Sequence, residues 1–151
     1  MSMPSTIEVP DLARCAFCDY LAGRRPYTIL ARGEHSALFV TREQRGVSHL
    51  LALPVMHRAT LLDLQWPETE AVMHAMREAA RAIVAAEGVA AISVWQNNGV
   101  GANQTIAHVH FHIAGAREGE ETERGDVQEV GLKVTERIAQ RLRIAHEFRL
   151  K

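Results

Sequence analysis

Three histidines stand at alternate positions in His108-Val109-His110-Phe111-His112-Ile113. Imidazole titrates near neutrality and serves as nucleophile, general acid or base, or metal ligand, so such a row concentrates chemistry. In an extended strand residues i, i+2 and i+4 share a face, which sets the three rings on one side and Val109, Phe111 and Ile113 on the other. Consecutive rings then have Cα atoms about 6.6 Å apart and the outer two about 13 Å, so neighbours can cooperate but all three cannot converge on one ion. A lone histidine here would read as polar filler. Three in register, backed by an apolar face, read as a functional set.

Two other groups accompany the row. Cys15-Ala16-Phe17-Cys18 is a C-x-x-C, which by itself fits a redox pair, half of a zinc site or two buried thiols. A redox pair belongs after a strand in a βαβ setting, and nothing before Cys15 reads as a strand. Zinc needs two further nitrogen or sulfur ligands to close a tetrahedral site; His57 and one histidine of the row are the donors at hand, which puts zinc ahead. The stretch Asn97-Asn98-Gly99-Val100-Gly101-Ala102-Asn103-Gln104-Thr105 is a polar, glycine-bearing loop leading into the row. Alone it is an ordinary connection. Beside three histidines it reads as a phosphate cradle that aims N–H groups and amides at an anion.

These residues need a scaffold, and 151 residues are enough for one domain with a buried core. A chain 47% hydrophobic and 23% charged is neither disordered nor fibrous. Lys+Arg 17 against Asp+Glu 18 leaves a formal charge of −1, with no global basic field to hold nucleic acid or a membrane surface. No apolar run is long enough to span a bilayer, and Met1 to Thr6 lacks the basic start and apolar stretch of a signal peptide. A cytoplasmic protein is expected.

Residues 1–13 read as an N-terminal arm, 14–151 as a single domain, and Arg117 to Gly125 as a solvated loop. Tyr27–Arg32 and Ala37–Val40 flank Gly33-Glu34-His35-Ser36 as a hairpin; His49–Leu53, Ala91–Trp95 and the histidine row add three more strands. Pro67, followed by Glu68 and Glu70, opens a helix that Gly88 stops, with Val72, Met76, Ala79, Ala80, Ile83 and Val84 at helical spacing. A C-terminal helix over about 126–146 carries Val127, Val130, Val134, Ile138 and Leu142 on one face. The order β-β-β-α-β-β-α predicts an α+β fold with a mostly antiparallel sheet. His35, His74 and His146 read as solvated surface residues, and Trp66 and Trp95 as core or interface residues.

The chain resembles the histidine triad (HIT) nucleotide hydrolases and transferases. His108-Val109-His110-Phe111-His112-Ile113-Ala114 matches the family's His-φ-His-φ-His-φ-φ signature, φ being apolar. Asn97-Asn98-Gly99, Gln104-Thr105-Ile106, His49-Leu50-Leu51-Ala52-Leu53-Pro54 with His57, and Cys15-Ala16-Phe17-Cys18 follow the family in order. The resemblance implies a HIT-like α+β fold: a five-stranded, mostly antiparallel sheet with one long and one C-terminal helix, in a homodimer. It implies His110 as the nucleophile that forms a nucleotidyl-imidazole intermediate. His112, His49 and Gln104 would hold the α-phosphate, with Thr105 near the leaving group and Asn97 and Thr41 also facing substrate. Cys15, Cys18, His57 and His108 would bind a structural zinc, as in bacterial-type members with the C-x-x-C.

Four positions depart from the family's pattern. Thr41 stands where a carboxylate or amide usually takes the ribose hydroxyls, Ser48 and Asn103 stand where glycine is frequent, and Ala114-Gly115-Ala116-Arg117 lacks a common proline. Val109 and Phe111 in the spacers make the uridylyltransferase branch a poor match. The expected activity is hydrolysis or nucleotidyl transfer at the α-phosphate of a purine nucleoside phosphoramidate or dinucleoside polyphosphate. A zinc-stapled nucleotide- or partner-binding module with negligible turnover is the alternative. A catalytic zinc hydrolase ranks third, because four protein ligands leave no open position on the metal.

Overall fold

The structure, a computed structural model, describes residues 7–119, 122 and 126–151; the start of the N-terminal arm and part of the loop before residue 126 lie outside the described residues. Five strands, β1 (Ile29–Arg32), β2 (Ser36–Val40), β3 (Val47–Pro54), β4 (Ile92–Trp95) and β5 (Phe111–Gly115), form one sheet. Their order is β1-β2-β3-β5-β4, and every neighbouring pair is antiparallel. Three helices accompany them: α1 (Ala16–Leu21), α2 (Trp66–Glu87) and α3 (Leu132–Ala145). The α+β architecture is the expected one. No helix among the described residues is long and apolar enough to cross a membrane.

Strand alternation divides the sheet into two unlike faces. Leu38 and Val40 of β2, Leu50 and Ala52 of β3 and Ile113 of β5 pack under α2 and α3, against Val72, Met76, Ala79, Ile83, Ile138 and Leu142. Their neighbours Ala37, Phe39, Leu51 and Leu53 face the other way and gather around Phe17 of α1. His49 and His112 share that second face by register, since Leu51 pairs with His112 and Leu50 with Ile113. The helical layer stabilises the sheet, and the opposite face is left to the site.

Local chemistry sets most helix ends. At the start of α2 the Glu68 carboxylate accepts from the Gln65 N–H at 2.8 Å, beside a proline in the first turn. At its end Gly88 takes the left-handed conformation with φ 63°. The C-terminal helix begins at Leu132, later than the expected 126: Val127 and Val130 precede it, and the Val130 N–H instead donates to the Arg42 carbonyl while its own carbonyl accepts from the Arg42 side chain. Its buried side is Thr135, Ile138, Ala139 and Leu142, so Val134 is partly exposed and a threonine fills a place the apolar count had given to valine. Helix α1, short and unpredicted, starts where the Cys15 sulfur accepts from the Cys18 N–H at 3.3 Å.

The histidine row is only half strand. His108 to His110 precede β5, held by the Val109 N–H donating to the Arg58 carbonyl at 2.7 Å. The entry to β3 is also irregular: its register to β5 shifts between Val47 and Leu50, and Ser48 sits there with φ 51°. A bulge of this kind re-aims the next side chain, here His49. The left-handed conformation costs a non-glycine residue about 1–2 kcal/mol. Burial of one leucine such as Leu50 contributes about 1.5–3 kcal/mol, and the Ser48 hydroxyl adds a 2.7 Å bond to Glu87, so the strand accommodates it.

Candidate active site

The lower end of the site is a four-ligand cluster. α1 brings Cys15 and Cys18, the loop after β3 brings His57, and the stretch before β5 brings His108. Their ligand atoms all lie within 4.8 Å of one another. Cys15 Sγ and Cys18 Sγ are 3.4 and 3.5 Å from His108 Nδ1, and Cys18 Sγ is 3.4 Å from His57 Nδ1. Tetrahedral zinc with ordinary bond lengths separates a sulfur from a nitrogen ligand by about 3.5 Å. The spacing therefore fits such an ion. Burial, then the adjacent Cys15, push the Cys18 thiol up to about 12, and a dication held between these ligands would favour the thiolate form.

His108 is oriented by its other nitrogen. Its Nε2 lies 2.8 Å from the Pro54 carbonyl, which can only accept, so Nε2 carries the proton and Nδ1 turns its lone pair to the sulfurs.

His110 is set the opposite way round. Its Nδ1 lies 2.7 Å from the His108 carbonyl, so the proton sits on Nδ1 and the lone pair on Nε2. The ring is clamped edge-on by Phe17 at 4.9 Å and by His112 at 5.1 Å. Burial holds it below the ordinary histidine range and so keeps it neutral at pH 7.

His49 and His112 form a directed pair beside it. The Arg45 backbone N–H donates to His49 Nδ1 at 3.1 Å, which leaves the proton of the neutral ring on Nε2. His49 Nε2 is 3.0 Å from His112 Nδ1 and donates to it, so the remaining His112 proton is on Nε2. Burial lowers His49 to about 4. Burial, reinforced by His110, His49 and Arg45, lowers His112 to about 2. One accepting ring nitrogen thus stands next to one donating ring nitrogen.

A cavity of about 850 Å³ opens over these rings. Phe17, Tyr20 and Tyr27 form one wall, the two tyrosines stacked at 4.0 Å and 8°. Asn97, Gln104 and Thr105 form another, and Thr41, Arg42 and Glu129 close a third side. Thr41 is buried and its hydroxyl accepts from the Glu43 N–H at 3.2 Å. Arg42 donates to the Val130 carbonyl at 2.9 Å and lies 3.6 Å from Glu129, so the segment before α3 belongs to the cavity wall.

The sequence-expected residues are brought together. Gln104 lines the cavity with its amide bonded to backbone groups: Oε1 accepts from Gly99 at 2.7 Å, while Nε2 donates both hydrogens to Ala59 and Ile106 at 2.8 and 2.9 Å. In this arrangement it braces the loop. Asn103 holds the left-handed turn of that loop with φ 65°, so asparagine suffices where glycine is frequent. A Cβ at Gly99 would meet Ile7 at 2.6 Å, because the arm crosses the loop and Val100 donates to the Glu8 carbonyl at 2.7 Å.

Sequence reasoning missed Trp95 and Tyr20. Trp95, expected in the core or an interface, lies in the cavity flat against His112, at 4.8 Å and 1°. Trp66 is 78% exposed, so it is not a core residue either. His146 is half-buried beside Glu78 at 3.3 Å rather than solvated. Only the strand pairing could have revealed Trp95, since it brings β4 alongside β5.

Residues 22–119 match the HIT domain. The chain is 33% identical over 118 residues to the adenosine 5'-monophosphoramidase of Saccharomyces cerevisiae, covering 78% of this chain and 70% of that protein. Among solved structures, a Hit-like protein from Bartonella henselae has a TM-score of 0.83 at 24% identity, covering 91% of this chain and 99% of the other. A zinc-bound histidine triad family protein from Mycobacterium smegmatis has a TM-score of 0.73 at 23% identity, covering 87% and 91%. With a sequence match over most of its length and a shared fold, the chain belongs to the HIT domain family.

Proposed function

We propose that the protein is a nucleotide hydrolase or nucleotidyl transferase acting at the α-phosphate of a purine nucleoside phosphoramidate, with dinucleoside polyphosphates as the related substrates. The observation that carries this reading is the tautomer of His110: a carbonyl holds Nδ1–H, and the Nε2 lone pair belongs to a neutral ring that lines the cavity. The name of the yeast relative supports the phosphoramidate class.

In the first step His110 Nε2 attacks the α-phosphorus, the P–N bond to the leaving amine breaks, and a P–Nε2 bond forms. The amine leaves with a proton drawn from solvent through the Thr105 hydroxyl. Water then attacks phosphorus and releases a proton to solvent, replacing the one the amine took, the P–Nε2 bond breaks with its electron pair returning to Nε2, and the nucleoside monophosphate departs. His112 Nε2–H donates to a non-bridging oxygen in both steps, and His49 fixes that donor by occupying Nδ1. Backbone N–H groups of the loop braced by Gln104 add to this, with Asn97 and Thr41 toward the substrate. Zinc on Cys15, Cys18, His57 and His108 would supply structural charge and crosslinking. This chain's His108 then presents its carbonyl to His110 from a fixed position.

The edge strand β4 exposes Val94 at 51%, and pairing of two such edges in a homodimer would cover it. Free thiols in a metal set suit a reducing, cytoplasmic compartment.

The test is an intact-mass measurement under denaturing, non-acidic conditions after brief mixing with adenosine 5'-phosphoramidate. An adenylyl adduct that is absent in His110→Ala is the expected result. Tight nucleotide binding with neither adduct nor product over hours would replace this reading with that of a binding module.

A further inference from the structure

The geometry points to Trp95 as a positioning residue for His112, holding the ring that faces the phosphate in its donating orientation. The inference rests on the function proposed above and concerns a residue outside the triad and its hydrogen-bonding partners. Trp95 closes β4, and its cross-strand partner in β5 is His112. The indole and the imidazole lie parallel within 1°, with ring centroids 4.8 Å apart. Trp95 also touches the His49 ring at 5.0 Å.

A single hydrogen bond does not hold a ring. The bond from His49 to His112 Nδ1 restrains the ring's swing about its Cβ–Cγ bond only softly, because Nδ1 lies close to that axis and moves little as the ring turns. Histidine gives little help, because its outer torsion has broad minima. A flat indole against one face removes the rotation, and the edge of His110 at 5.1 Å and 63° limits it from another side. What remains is one orientation of Nε2–H.

The same contact has an electrostatic side. An aromatic face carries partial negative charge, so indole favours positive charge on a ring stacked over it. As His112 donates to an increasingly anionic phosphate oxygen its ring becomes more positive, and Trp95 is the neighbour that welcomes this. His110, His49 and Arg45 all oppose it.

Core packing does not account for the tryptophan. It sits half-buried on an edge strand and belongs to neither apolar cluster.

The test compares Trp95→Phe and Trp95→Leu with the wild-type holoprotein on adenosine 5'-phosphoramidate, together with the NMR signals of the His112 ring without substrate. The expected result for Trp95→Leu is a kcat about tenfold lower with KM within about twofold, in line with the strength of an aromatic pair. Its His112 ring signals should move downfield as the indole ring current is lost. Trp95→Phe should restore most of the kcat, because a flat ring returns. The proposal is overturned by a Trp95→Leu protein with wild-type kcat, by loss in KM alone, or by His112 signals that do not move. If the wild type turns over no phosphoramidate, the proposed function fails, and the ring signals still decide this inference.

Discussion

His108 and His110 lie two residues apart, the first buried and the second half-buried, and each donates one ring N–H to a backbone carbonyl. The carbonyl meets Nε2 in His108 and Nδ1 in His110, so the lone pairs are on opposite nitrogens. One lone pair faces two sulfurs and the other faces a cavity. Identical side chains on one short segment thus point their lone pairs at different surroundings according to which nitrogen the backbone protonates, and the backbone carbonyl of the first residue fixes the ring of the second. Under the proposed function, a metal at His108 and a nucleophile at His110 would be mechanically linked and chemically separate.

The sharpest way to break this contrast is to remove one ring at a time. His110→Ala should lower turnover of adenosine 5'-phosphoramidate by about 10⁴-fold, the scale expected for a lost nucleophile, with metal content by elemental analysis unchanged. Turnover within tenfold of wild type would sink the assignment. Cys18→Ser should do the reverse: metal falls below one per chain and the melting temperature drops by about 10 °C, as for loss of a tightly bound stabilising ligand. Its nucleotide affinity by calorimetry should change little, and a change confined to nucleotide affinity would contradict the division.

Acid gives a smaller effect that separates the substrate pair from ordinary histidines. His49 and His112 are held below their unfolded value of 6.5, to about 4 and about 2. Above pH 6.5 both states hold these rings neutral and the full stability is present. Below it the unfolded chain binds protons that the folded chain refuses. Stability should then fall by about 1.4 kcal/mol per pH unit for each ring as pH drops from 6.5 toward 4. Urea unfolding at pH 7, 6 and 5 measures the slope, and His49→Asn should flatten it; an equal slope in both proteins would refute the assignment of these protons. The smallest effect concerns Ser48. Replacing it by glycine relieves left-handed strain and removes the bond to Glu87, terms of similar size, so unfolding free energy should stay within about 1 kcal/mol.

Much of the scaffold was legible because it depends on local periodicity. Alternation in β2 and β3 separates Leu38 and Val40 from Ala37 and Phe39 whatever the rest of the chain does, and Pro67 with Gly88 brackets α2 within a residue. The departures Ser48 and Asn103 turn out to be the two non-glycine residues with positive φ among the described residues, so the sites of strain were visible even though their geometry was not. The start of α3 was misjudged because Val127 and Val130 continue its apolar spacing while the backbone of Val130 is taken by Arg42. Helix α1 carries too few residues for a period. Gln104 was assigned to phosphate from its position, but the three backbone groups that occupy its amide come from Ala59, Gly99 and Ile106, one of them 45 residues away.

The order of residues by itself determined that three imidazoles share a side, that a C-x-x-C accompanies them, and that a polar loop leads into them, since these follow from the period of an extended chain and from composition. Only the tertiary structure decided which nitrogen of each ring is free. For two of the rings that choice belongs to distant partners, Pro54 for His108 and His49 for His112, while His110 takes its acceptor from His108, whose own place the fold sets. A proton on an imidazole follows its nearest acceptor, and the acceptor's place is a property of the folded chain.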